Sequence, residues 1–268
     1  MKKTLLVFLT VLLVACAETD EQKANKLLQK ARDFYVAQQA DTAKIILESI
    51  HTLYPRQVNY RRQADTLLWT ITFNEITRQI PQIDSTLFFL CNSAEKIAKD
   101  YKLQKDEKYQ PIGDYEHISM SNAINTGRSH LKPITDEHGN FRFISNLAGN
   151  PIHHKAVEIE SGDISAETAT ASEVECNYYS DFGVTYEMVN FSEEKAKNFI
   201  LFVKNNADKK LKIRLKGDKE YSYTFNSKDV RVFVETFDFA LLLKDIHRNR
   251  QKKSEMEKTL NFVRNRLQ

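Results

Sequence analysis

Glycine does not occur in this 268-residue chain before Gly113, and there are only seven glycines in all. Proline is nearly as rare, with five residues. A first third without glycine, patterned at intervals of three and four, excludes a β-rich start and points to helices. Cysteine occurs three times, at Cys16, Cys91 and Cys176, too seldom to build a disulfide framework in a chain of this size. Cys91 falls in a helical stretch and Cys176 in a strand-rich one, so both read as unpaired, buried thiols. No apolar run approaches the roughly 20 residues needed to cross a bilayer as a helix. The motifs G-x-S-x-G, H-E-x-x-H, G-x-x-x-x-G-K-[ST] and G-x-G-x-x-G are missing, which removes the commonest hydrolase, zincin and nucleotide-binding readings. The formal charge is only +3, and two of its lysines, Lys2 and Lys3, stand at the very start; nothing recommends nucleic acid as a partner.

What is present begins at that start. Lys2 and Lys3 precede an apolar run over residues 5–14, broken only by Thr10, the build of a secretory leader. Leu13, Val14, Ala15 and Cys16 close it. This tetrad resembles the lipobox of bacterial lipoproteins. The resemblance implies cleavage before Cys16, lipid on the Cys16 thiol and acylation of the new terminus; an ordinary cleaved leader with a chance cysteine is the competing reading. Each buried methylene contributes about 0.8 kcal/mol, and stable anchoring takes about two chains, a requirement such a modification exceeds. Ala17, where an aspartate would retain the protein at the inner membrane, implies the outer membrane. Glu18, Asp20 and Glu21 resemble the acidic tether of surface lipoproteins, so the periplasmic face and the cell surface both stay open.

Residues 23–104 read as a helical domain. In "ANKLLQKARDFYVAQQADTAKIILESIHTLYP", Leu27, Ala31 and Phe34, then Ala43, Leu47, Ile50 and Pro55, resemble one tetratricopeptide repeat. Ala31 and Ala43 are small enough to let two helices approach closely. Such units need a neighbour to cover the open face, and no second copy is evident. The neighbour expected is the helix beginning near Val58, with Leu67, Leu68, Trp69, Ile71 and Ile76 on or near its apolar side. Pro81 is expected to stop or kink it, with Asp84 or Ser85 capping a further helix through Tyr101.

Residues 105–225 change grammar. "GRSHLKPI" and "FRFISNL" flank "TDEHGN", a hairpin with a glycine in its loop. "PIHHKAVEIE", "VTYEMVNF", "KLKIRLKG" and "EYSYTF" are further strands, and "SEEKAKNFILFVKNN" is a short helix capped by Ser192. A long helix over 226–268 ends the chain. Its second apolar stripe, Met256, Leu260, Val263 and Leu267, suits either the N-terminal helices or a coiled-coil dimer. The fold expected is α+β: a helical hairpin or bundle, then a mostly antiparallel sandwich or open barrel with one packed helix, then the long helix. The segments are 1–15 leader, 16–22 acylated tether, 23–104 helical, 105–225 β-rich and 226–268 terminal helix.

Charge is segregated as well. Residues 156–194 contain no Lys or Arg but ten carboxylates, whereas 195–219 are rich in lysine. Side-by-side strands that neutralise each other explain this most simply, and the carboxylates lack the spacing of a calcium loop. Three S-x-x-K tetrads begin at Ser93, Ser129 and Ser192, without the companion motifs of the serine β-lactamases. His130, His138, His153 and His154 crowd together, but neighbours on a strand point to opposite faces, so no metal set and no catalytic set is assigned. Tyr178 and Tyr179 are candidate glycan-stacking rings. Tyr221, Tyr223 and Phe225 alternate with polar residues, as core-facing rings do. The leading expectation is a non-catalytic outer-membrane lipoprotein, an accessory that binds another envelope protein and needs no cofactor. A glycan-binding surface lipoprotein is the alternative, and a hydrolase near the histidines is a third.

Overall fold

In a computed structural model, residues 18–121, 124–181 and 183–268 are described. Cys16 and the segment expected to be a leader lie outside them. Among the described residues no helix is long and apolar enough to cross a membrane. The chain divides into two compact units, Met1–Asp84 with Lys252–Gln268, and Ser85–Gln251.

The first unit is helical. Helix α1 spans Asp20–Val36, and Thr19 caps it by accepting the Gln22 amide while the Gln22 side chain accepts the Thr19 amide. The helix therefore starts inside the segment expected to be a tether. Helix α2 is Ala40–Leu53. Between them Gln38 adopts φ 61°, the left-handed cap position usually filled by glycine, and the Gln39 amide reaches back to the Phe34 carbonyl. Ala31 and Ala43 are wholly buried, and Leu28, Leu47 and Ile50 close the core against Ala64 and Ile71 of α3, Val58–Ile97. Leu27 and Phe34 pack at its margin. Helix α3 does not stop at Pro81. Proline removes only the bond to the Thr77 carbonyl, and the turns on either side carry the helix through.

The last part of this unit is the end of α5, Ser227–Leu267. There Lys253 pairs with Asp84 at 2.6 Å, Arg266 lies over the Trp69 ring, and Val263 is buried. Of the terminal stripe, Val263 is buried within this unit and Leu267 is 39% exposed.

The second unit is built on antiparallel strands. Its larger sheet has the order β1 (Tyr101–Gln104), β2 (Asp114–His117), β3 (His130–Asp136), β4 (Phe141–Ala148), β8 (Val184–Ser192), β7 (Cys176–Asp181). The smaller has the order β10 (Glu220–Phe225), β9 (Leu211–Lys216), β5 (Ala156–Ser161), β6 (Ile164–Glu167). Both sheets feed one core. Phe141, Phe143 and Phe191 come from the first, Val157, Ile159, Ile213 and Leu215 from the second. Helix α4, Lys197–Asn205, adds Phe199, Ile200 and Val203, and the start of α5 adds Val230, Phe233 and Phe237. Helix α4 begins later than expected because Ser192 is still paired with Arg142 in the sheet. Its cap residue, Ala196, has no side chain to offer.

The hairpin forms where expected. Asp136 accepts the amides of His138 and Asn140, and Gly139 takes φ 84°. A Cβ on Gly139 would also stand 2.3 Å from the Ala240 carbonyl oxygen, so the hairpin tip rests directly on the backbone of α5. The segregated charges neutralise across strands: Glu158 lies opposite Arg214 and Glu160 opposite Lys212, while Lys216 reaches Glu158 at 3.1 Å and Glu167 at 2.8 Å.

Candidate functional site

The densest chemistry lies inside the second unit. Strand β4 alternates so that Phe141, Phe143, Ser145 and Leu147 share the core side, and the register sets Ser145 opposite Val189 on β8. Two residues along, Glu187 lies on that same side. His154 enters from the segment before β5. Its Nε2 is 2.9 Å from the Ser145 Oγ and its Nδ1 2.5 Å from a Glu187 carboxylate oxygen. Glu187 also accepts the amides of Ile152 at 2.8 Å, His153 at 3.0 Å and His154. With the carboxylate ionised, Nδ1 donates to it, and in the neutral imidazole Nε2 accepts the serine proton.

Serine, histidine and glutamate thus stand in the hydrogen-bond order of a nucleophilic relay. All three are 0% exposed. A nucleophile needs an open space beside its oxygen for the reacting carbon, and Ser145 instead stands in the row of Phe143 and Leu147. As it stands, the trio serves the fold. Burial pushes the Glu187 carboxyl upward, but the hydrogen bonds from the His154 ring and from the Ile152 and His154 amides outweigh it and hold the group below its ordinary value. The carboxylate gathers three consecutive amides and so fixes a bend in which His153 takes φ 54°. Gly217 presses on the same bend, since a Cβ there would lie 2.1 Å from the Ile152 carbonyl oxygen.

The four histidines are not brought together. His130 donates through Nδ1 to the Arg128 carbonyl (2.9 Å) and pairs in register with Asn146, on the opposite side of β4 from Ser145 and His154. Burial, offset in part by the Arg128 carbonyl, leaves its pKa below the usual histidine value. His138 stacks on His247 with ring centroids 3.9 Å apart. His153 turns to Asp218, 2.8 Å away at the surface. Among the described residues no group of three or more His, Cys, Asp or Glu is placed to hold a metal. Cys91 and Cys176 are both free thiols, half-buried rather than fully enclosed.

The tyrosines part in the same way. Tyr178 lies opposite Glu187 and is 48% exposed, whereas Tyr179 points to the other side of the strand, opposite Tyr186, on which it stacks at 4.8 Å. Adjacent strand residues cannot form one flat platform, so the pair does not make a joint stacking surface. Phe225 is buried and Tyr223 packs against the core as expected, while Tyr221 is 39% exposed beyond its edge. The S-x-x-K serines serve backbone: Ser93 donates to the Phe89 carbonyl, and Ser129 accepts the Ala148 amide.

In the helical unit two hollows lie where α1 and the α1–α2 turn meet α3. One, of about 320 Å³, is lined by Arg32, Arg62, Gln63, Thr66, Leu67 and Thr70. The other, of about 390 Å³, includes Tyr35, Gln38, Ile71, Asn74, Glu75 and Arg78. Both place hydrogen-bonding side chains around a small apolar patch, Leu67 in the first and Ile71 in the second.

No protein-family model, no curated protein and no solved structure matches this chain.

Sequence reasoning passed over Ser145 and Glu187. The available signal is parity: Ser145 stands between Phe143 and Leu147, and Glu187 between Thr185 and Val189 on the alternate positions of its strand. A carboxylate written into the apolar side of a strand marks a buried network.

Proposed function

We propose that the chain is a non-catalytic lipoprotein of a bacterial outer membrane, anchored through lipid on Cys16, that binds another envelope protein through its helical unit. The observation that carries this reading is the pair of polar-lined hollows where α1 and the α1–α2 turn meet α3. The lipobox-like tetrad supports the anchor, and the repeat-like pattern of Ala31 and Ala43 supports a peptide-binding role for the hairpin. Enclosure of the Ser145 relay argues for a binding rather than a chemical task.

The test is a crosslinked affinity purification of the full-length lipoprotein from solubilised envelopes. The wild type is compared with an Arg32→Glu, Arg62→Glu double variant, both sites being exposed. The reading expects one protein in near-equal amount with the wild type and its loss with the variant. Equal recovery from both forms refutes the assignment to this surface. Cys16→Ser is expected to leave the membrane fraction and to take up no labelled fatty acid.

A further inference from the structure

The groove between α4 and α5 has no task in the reading above. It measures about 410 Å³ and is lined by Glu193, Glu194, Lys197, Ile200, Leu201 and Phe237. Its size lies within the range of about 300–1,000 Å³ typical of small-ligand sites. Ile200 and Phe237 form a buried floor, 2% and 8% exposed. Phe199, Ile200 and Val203 of α4 turn into the core, but Leu201 is 42% exposed beside the groove. On α5, Leu241 stands one turn beyond Phe237 and is 38% exposed. Two ion pairs run along the groove: Lys204 of α4 with Asp238 of α5, and Lys244 of α5 with Glu193, in the turn before α4, at 2.8 Å.

Glu193 is committed to Lys244. Two opposite charges on the lining, Glu194 and Lys197, enter none of the ion pairs among the described residues. Glu194 lies in the turn that leads into α4 and Lys197 opens the helix, so the two charges stand close along the chain on one lining. This arrangement discriminates among apolar ligands. A fatty acid would meet Lys197 but bring its carboxylate to Glu193 and Glu194. A plain amine would satisfy Glu194 and leave Lys197 facing like charge. A molecule carrying both signs at the ends of a short apolar body satisfies both.

We propose that this groove binds a zwitterion with an apolar body, namely a short apolar peptide with free termini. Its ammonium lies at Glu194, its carboxylate at Lys197, and its side chains on Ile200, Leu201 and Phe237. The proposal does not depend on the partner of the helical unit.

The probe is L-leucyl-L-leucine, titrated calorimetrically into the full-length protein. It is compared with its N-acetyl, its C-amide and its doubly capped forms. Saturable binding of the free dipeptide is expected, weakened roughly fivefold by either cap, as for a partly exposed charge contact. Leu201→Asp, at an exposed position that leaves the core intact, is expected to abolish it, with circular dichroism confirming the fold. Glu194→Lys and Lys197→Glu singly weaken binding, and the two together restore part of it. Absence of saturable heat with the free dipeptide overturns the proposal. So does equal binding of the doubly capped form, which would mean an unselective apolar cleft. Binding that survives Leu201→Asp places the site elsewhere and overturns it too.

Discussion

The two units solve the same problem by different means. In the helical unit each core residue is announced by its neighbours three and four positions away, and close approach rests on Ala31 and Ala43, both wholly buried. In the β unit the decisive contacts join residues far apart in sequence, and some of them are polar. Glu187 holds a bend more than 30 residues earlier, and Gly139 touches a helix about 100 residues later. The first unit is secured by local pattern and apolar packing, the second by a few long-range contacts that tolerate little change.

That contrast can be broken most directly at Glu187. Glu187→Ala leaves two buried amides, a third partly buried one and a buried imidazole without their acceptor, and is expected to cost about 3–5 kcal/mol. Urea unfolding followed by hydrogen exchange would place the loss in the Ser85–Gln251 unit; uniform loss across both units would sink the comparison. Leu47→Ala is the counterpart in the helical core, about 3 kcal/mol by transfer and cavity terms together. Its protection loss should fall on α1 and α2.

Next in size is Gly139→Ala, expected to cost about 1–3 kcal/mol because it both strains a left-handed residue and drives a methyl into the α5 backbone. A melting temperature unchanged from wild type would show that the hairpin tip shifts freely. The acid limb of stability offers a finer reading. Because the folded Glu187 pKa is depressed, its contribution is fully present above the unfolded value, 4.5, and is lost as pH falls through the folded one. Glu187→Gln should therefore flatten the stability slope below about pH 4.5. An unaltered slope would mean that other carboxylates govern it. The smallest effect is at Gln38, where Gln38→Gly relieves a left-handed side chain and should raise stability by a few tenths to about 1 kcal/mol.

The legible parts of the fold follow from the same contrast. Helices α1 and α2, the hairpin around Gly139 and the pairing of acidic β5 with basic β9 were all written in short stretches of sequence. The continuation through Pro81 was not, because a proline signal is local while the turns that carry the helix past it are cooperative. The late start of α4 was missed because Ser192 suits a cap as well as a strand end, and only its partner Arg142 decides. The passage from one unit to the other falls near Asp84 and Lys252, inside two continuous helices, where no change of composition marks it. Of the chemistry, His154 was in view, but its partners Ser145 and Glu187 were visible only as polar letters at core parity.

Helix α5 has a consequence for how damage is shared. It supplies Val230, Phe233 and Phe237 to the core of one unit and Val263 to the other. A lesion early in this helix opens the β-rich core, and one near its end opens the helical unit. A single unbroken element is thus indispensable to two separate interiors.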